Sequence, residues 1–159
     1  MKKRFLNEKF RLYELTEKEV PKILKTTKEN MTPIIKRAWG IEWKRDFENR
    51  FLNRLLSKGI VKIIYKGNKF IGYFWFTERE DENDIYIISM QLKKEYQGKG
   101  IGNKILEYLE EFALNCNRKY MTLCVQVTNK KAIKLYQKFG FKEFFREKGN
   151  IYMQKKLVN

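Results

Sequence analysis

The chain has 159 residues, 43% of them hydrophobic and 15% aromatic, enough for one domain with a sizeable core, so 1–159 is expected to be a single domain. It carries no histidine and only two cysteines, Cys116 and Cys124, which argues against imidazole triads, a disulfide framework and the common zinc sites; no metal is expected. Its formal charge of +16 comes from lysines spread along the whole length, a field that suits a phosphate-rich small molecule as well as a polyanion, and nucleic acid is not the expected partner.

No apolar run approaches the roughly 18 to 20 residues of a membrane span. Met1-Lys2-Lys3-Arg4 is followed by Phe5-Leu6-Asn7-Glu8 rather than by a signal-peptide core, so the expected location is the cytoplasm, without membrane contact.

In chain order, Lys9 to Leu15 alternates as a short strand, and Thr16 with Glu19 makes a capping box for a helix expected to end near Lys28. A second helical stretch breaks near Trp39-Gly40, and a third spans Lys44 to Lys58 with Phe47, Phe51 and Leu55 as its buried stripe. Ile60 to Tyr65 and Phe70 to Thr77 read as a hairpin around Lys66-Gly67-Asn68-Lys69. Ile85 to Leu92 is apolar enough for a central strand. A helix follows from about Gly98 to Asn115, with Ile101, Ile105, Leu109, Phe112 and Cys116 on one side. Tyr120 to Val127 is a strand, Asn129 to Phe139 a helix closed by Gly140, and Phe141 to Arg146 with Asn150 to Leu157 a terminal pair of strands. The order predicts an α/β (α+β mixed sheet) fold rather than a doubly wound one.

The turn Gln97-Gly98-Lys99-Gly100-Ile101-Gly102 joins a strand to a helix through glycines spaced by two. Such a turn aims consecutive N–H groups into one concavity at the positive end of a helix dipole, where a diphosphate is stabilised. Lys99 is followed by Gly100, which excludes a Walker A loop, and the GxGxG spacing, late position and basic Arg118-Lys119 exclude a dinucleotide fingerprint.

Gln97, Gly100 and Gly102 match the Gln/Arg-x-x-Gly-x-Gly/Ala signature of the GNAT N-acetyltransferase superfamily. Asn129, Ala132, Leu135, Tyr136, Gly140 and Phe141 match that family's Asn-x-x-Ala-x-x-Leu-Tyr-x-x-x-Gly-Phe segment, and the chain resembles this family over residues 60 to 157.

The resemblance implies acetyl-coenzyme A as cosubstrate and a sheet splayed between its fourth and fifth strands. The backbone of Met90, Gln91 and Leu92 would receive the pantetheine arm, and Gln97, Gly98, Lys99, Gly100, Ile101 and Gly102 would cradle the diphosphate. Asn129 would cap the last helix and touch the cofactor arm, and Tyr136 would give its proton to the departing thiolate. For each of these a purely structural role stands beside the functional one: a helix start for Gly98, a solvated lysine for Lys99, a core tyrosine for Tyr136.

The acceptor side is open. An alkylamine of pKa about 10.4 is neutral only about once in 2,500 at pH 7, equivalent to roughly 4.6 kcal/mol, so its proton must go somewhere. The inner strand positions hold Ser89, Gln91, Cys124 and Gln126 and no carboxylate. Glu78, Asp84, Glu42 and an ordered water chain are the candidates for that proton, and Trp39-Gly40-Ile41-Glu42-Trp43 for recognising a cationic amine. The expected activity is direct acetyl transfer to an amine-bearing small molecule or peptide by a monomer or homodimer. A non-catalytic acyl-coenzyme A sensor and a basic RNA-associated protein are the alternatives.

Overall fold

The computed structural model describes residues 9–158. Seven strands form one sheet in the order β1-β2-β3-β4-β5-β7-β6, in which β4 and β5 alone run parallel. The strands are β1 (Phe10–Glu14), β2 (Ile60–Lys66), β3 (Lys69–Arg79), β4 (Asp84–Leu92), β5 (Tyr120–Gln126), β6 (Lys142–Glu147) and β7 (Asn150–Lys156). Among the described residues four α-helices complete the mixed α/β fold: α1 (Val20–Trp39), α2 (Arg45–Ser57), α3 (Ile101–Asn115) and α4 (Lys130–Phe139).

Strand β3 shows why the sheet has two cores. Phe70 through Phe76 are all buried, because alternate side chains feed opposite faces and both faces are covered. Phe74 and Phe76 join Ile105, Leu106, Leu109 and Ala113 of α3 on one face. Tyr73 and Trp75 join Ile23 of α1 and Leu55 of α2 on the other. The expected side of α3 faces the core: Ile101, Ile105 and Leu109 are buried, Phe112 packs half-buried on Phe76, and Leu106 and Ala113 join them.

Two further boundaries differ from expectation. α1 does not stop near Lys28 but continues through Pro33 to Trp39, where Gly40 closes it at φ 67°. Pro33 lies on the exposed side, so the carbonyl it leaves unpaired, that of the exposed Glu29, can meet water. α3 begins at Ile101 rather than Gly98, after a single 3-10 turn over Lys94–Tyr96. The capping box at Thr16 and Glu19 is present, ahead of one 3-10 turn that leads into α1.

Candidate active site

The register between β3 and β4 shifts at one point: Trp75 faces Ser89 and Phe76 faces Ile87, so Ile88 is an extra residue on β4. Pairing of β4 with β5 ends at Ile87 and Leu123, immediately before that bulge. Beyond it, Ser89 to Leu92 stay paired only with β3, and Cys124 to Gln126 only with β7. A wedge therefore opens between two strands of one sheet. Lys93 donates its N–H to Ile71 O on β3 at 2.9 Å. Backbone groups alternate along a strand, so those of Met90 and Leu92 point into the wedge and those of Gln91 point at β3.

The wedge ends at the glycine turn. Gly98 and Gly100 have φ 72° and 85°, the left-handed region that a side chain resists, and Gly100 is the N-cap of α3. An added Cβ at either position would meet nothing within 4 Å, and no side chain caps the N–H groups at the head of this 15-residue helix. Gly102 has a different duty, since a Cβ there would lie 2.8 Å from Leu135 Cδ2 on α4. Lys99 is exposed, with Nζ 5.8 Å from the Tyr96 ring centroid. These residues fit coenzyme A: an unpaired strand edge for amide bonds, then uncapped N–H groups and a helix dipole for a diphosphate.

Asn129 caps α4, its side chain accepting from Ala132 N–H at 3.4 Å. Tyr136 is buried on α4 and packs edge-on against Phe141 at 5.8 Å. Among the described residues nothing hydrogen-bonds its hydroxyl. Burial pushes that phenol up to about 12, which keeps it protonated and able to donate.

On the α1 face of β4 a row of polar side chains runs in one direction. Gln97 Nε2 approaches Asn30 Oδ1 at 3.4 Å, and Asn30 Nδ2 donates to Gln91 Oε1 at 3.1 Å. Gln91 Nε2 then donates to Ser89 Oγ at 3.3 Å. Tyr73 Oη lies 3.3 Å from Ser89 Oγ and 2.6 Å from Thr27 Oγ1. Thr27 spends its single hydroxyl hydrogen on Ile23 O at 2.7 Å, so Tyr73 donates to Thr27 and accepts from Ser89. The row is half-buried at Ser89 and Gln91 and ends on a buried backbone carbonyl. A proton handed to Ser89 would have no exit beyond Ile23 O, so the row accepts hydrogen bonds without conducting a proton. Burial pushes Tyr73 to about 12, and Tyr86, stacked under Arg79, likewise to about 12; burial also raises the Cys124 thiol.

The carboxylates singled out in the sequence lie elsewhere. Glu78 accepts from Arg118 Nε at 2.7 Å just beyond the C-terminus of α3 and faces Ile85, on the sheet face opposite Ser89. Asp84 is fully buried and takes a bidentate pair from Arg79 at 2.9 and 2.5 Å. Glu42 is exposed beside an open pocket of about 400 Å³ that it lines with Lys36, Gly40, Ile41 and Lys44. The two tryptophans part: Trp39 Nε1 donates to Asn150 Oδ1 on β7 at 2.9 Å, and Trp43 donates to Glu48 and packs on Phe47 and Phe51.

Thr27, Asn30 and Tyr73 are functional candidates that the sequence did not single out. Their signal was legible in part, because Thr27 and Asn30 fall four and seven residues after Ile23, polar groups on the buried stripe of a helix.

Residues 23–141 match the acetyltransferase (GNAT) family, and the chain belongs to that family. A thialysine N-epsilon-acetyltransferase from Sus scrofa is 31% identical over 87 residues, 53% of this chain and 51% of that protein. A probable spermine N(1)-acetyltransferase from Bacillus subtilis subsp. natto is 34% identical over 89 residues, 51% of this chain and 57% of that protein. The matches thus span about half the length of these curated relatives. The crystal structure of the PaiA N-acetyltransferase from Thermoplasma acidophilum in complex with coenzyme A superposes with a TM-score of 0.72 at 18% identity, over 93% of this chain and 99% of that one, and shares its fold. Acetyl-coenzyme A is the cosubstrate of the family.

Proposed function

We propose that this chain is an acetyl-coenzyme A-dependent N-acetyltransferase acting on a primary amine by direct attack. The observation that carries the proposal is the wedge at Ile88 running into the Gln97 to Gly102 turn. The bound cosubstrate supplies a thioester acyl group. Met90 backbone groups and the Leu92 N–H bond its arm, and the N–H groups from Gly98 to Gly102 hold its diphosphate. Tyr136, protonated and with no hydrogen-bond partner among the described residues, donates to the leaving sulfur as the C–S bond breaks, and the proton that the attacking nitrogen sheds on becoming an amide returns to the phenolate through solvent. Ser89 Oγ and Gln91 Oε1 each retain a lone pair toward the cleft and accept N–H bonds from the amine.

No exit for a proton leads through Ser89, so the amine enters as the free base, having lost its proton to solvent. The relatives support small or peptide amines of the thialysine or polyamine kind as first acceptors to test. The experiment is a panel of such amines with acetyl-coenzyme A, read by thiol release. Amine-dependent release supports the proposal. Tight coenzyme A binding with no release for any amine would favour the sensing module instead.

A further inference from the structure

Between α1 and the glycine turn lies a closed ring of three hydrogen bonds. Asn30 Nδ2 donates to Leu92 O at 2.9 Å, Gln97 Nε2 donates to the same oxygen at 3.0 Å, and Gln97 Nε2 also approaches Asn30 Oδ1 at 3.4 Å. With two donors on it, the Leu92 carbonyl has no lone pair left for a cofactor amide. Gln97 is likewise committed, and its backbone opens the turn at φ −77° and ψ 152°.

The glycine turn beyond Gln97 needs such an anchor. Gly98 and Gly100 both sit at positive φ with no side chain and open space around them, the arrangement with the most freedom to lose on binding. The helix does not need Asn30 for its own docking. Thr27 bonds Tyr73, Ile34 O accepts from Thr128 Oγ1 at 2.9 Å, and Trp39 bonds Asn150.

We propose that Asn30 is a positioning residue for the cosubstrate, holding the end of β4 and the mouth of the diphosphate turn through Leu92 O and Gln97. The proposal rests on the assignment of the diphosphate to residues 97 to 102. It also gives α1, which walls the amine side, a physical link to the cofactor side.

The test is calorimetry of coenzyme A binding to Asn30→Leu, Gln97→Leu, the double variant, Thr128→Val and Gly100→Glu. Each single loss of the ring is expected to weaken binding about 10-fold, and the double to be weaker than either single by less than about 3-fold rather than by the product. Thr128→Val removes another tie of α1 and should lower the melting temperature with binding unchanged. Should Asn30→Leu not fold, Asn30→Asp keeps the size and the bond from Gln97, loses both donations, and should weaken binding in the same way. Unchanged affinity in a folded Asn30 variant, multiplying losses in the double, or equal weakening by Thr128→Val would each overturn the proposal. If Gly100→Glu binds coenzyme A normally, the diphosphate assignment itself is wrong.

Discussion

Gly102 on α3 and Leu135 on α4 approach so closely that a Cβ on Gly102 would lie 2.8 Å from Leu135 Cδ2. The last glycine of the turn thus lets two helices meet, the first opening from the cofactor turn and the second carrying Tyr136. Gly102→Ala is expected to cost less than about 1 kcal/mol in urea denaturation, because the half-buried tip of Leu135 can turn aside and the gain in helix propensity offsets most of the crowding. In a Leu135→Ala background the same change should be neutral or stabilising. Equal losses in both backgrounds would show that packing on Leu135 is not the cause.

Tyr136→Phe should reduce kcat by about 10- to 1,000-fold with coenzyme A affinity little changed. The pH profile carries a second check. A general acid is lost as pH rises through its pKa, and with this phenol pushed to about 12 the wild type should show no such loss between pH 7 and 10. A fall in kcat within that window would point to another acid.

For the acceptor amine, kcat/KM should rise tenfold per pH unit up to the amine's own pKa, because the row through Ser89 ends at Ile23 O and relays nothing. A less basic amine of similar shape should therefore reach its plateau at lower pH. Thialysine, whose sulfur withdraws electrons from the amine, against lysine is one such pair. A plateau at a fixed pH for acceptors of different basicity would reveal a base built into the protein.

Asp84→Asn should cost on the order of 1 kcal/mol, since it takes the counter-charge from an Arg79 guanidinium that is partly exposed and screened by solvent. Hydrogen bonding to Asp84 holds the Arg79 guanidinium above its ordinary value, so Arg79 stays charged across neutral pH. The melting temperature should drop while the kcat/KM profile keeps its shape. A changed profile would return Asp84 to the chemistry.

The sequence by itself determined the features whose causes are contiguous. Glycines at 98 and 100 permit the left-handed turn, Asn129 and Gly140 bracket α4, and the apolar run from Phe70 to Phe76 makes one arm of the hairpin. Its boundaries erred where the local signal was ambiguous, as at Pro33, where only the exposed setting shows that the helix continues.

The tertiary structure alone decided which groups meet across long stretches of chain. Gln97 and Leu92 converge on an asparagine more than sixty residues earlier, and Tyr73 bonds Thr27 from the opposite wall. Arg118 takes Glu78 away from the cleft, and the single extra residue at Ile88 ends the pairing of β4 with β5. A side chain's partners depend on how far each strand is shifted and where each helix crosses the sheet. Those quantities are set by the packing of both cores at once, and no short run of residues carries them.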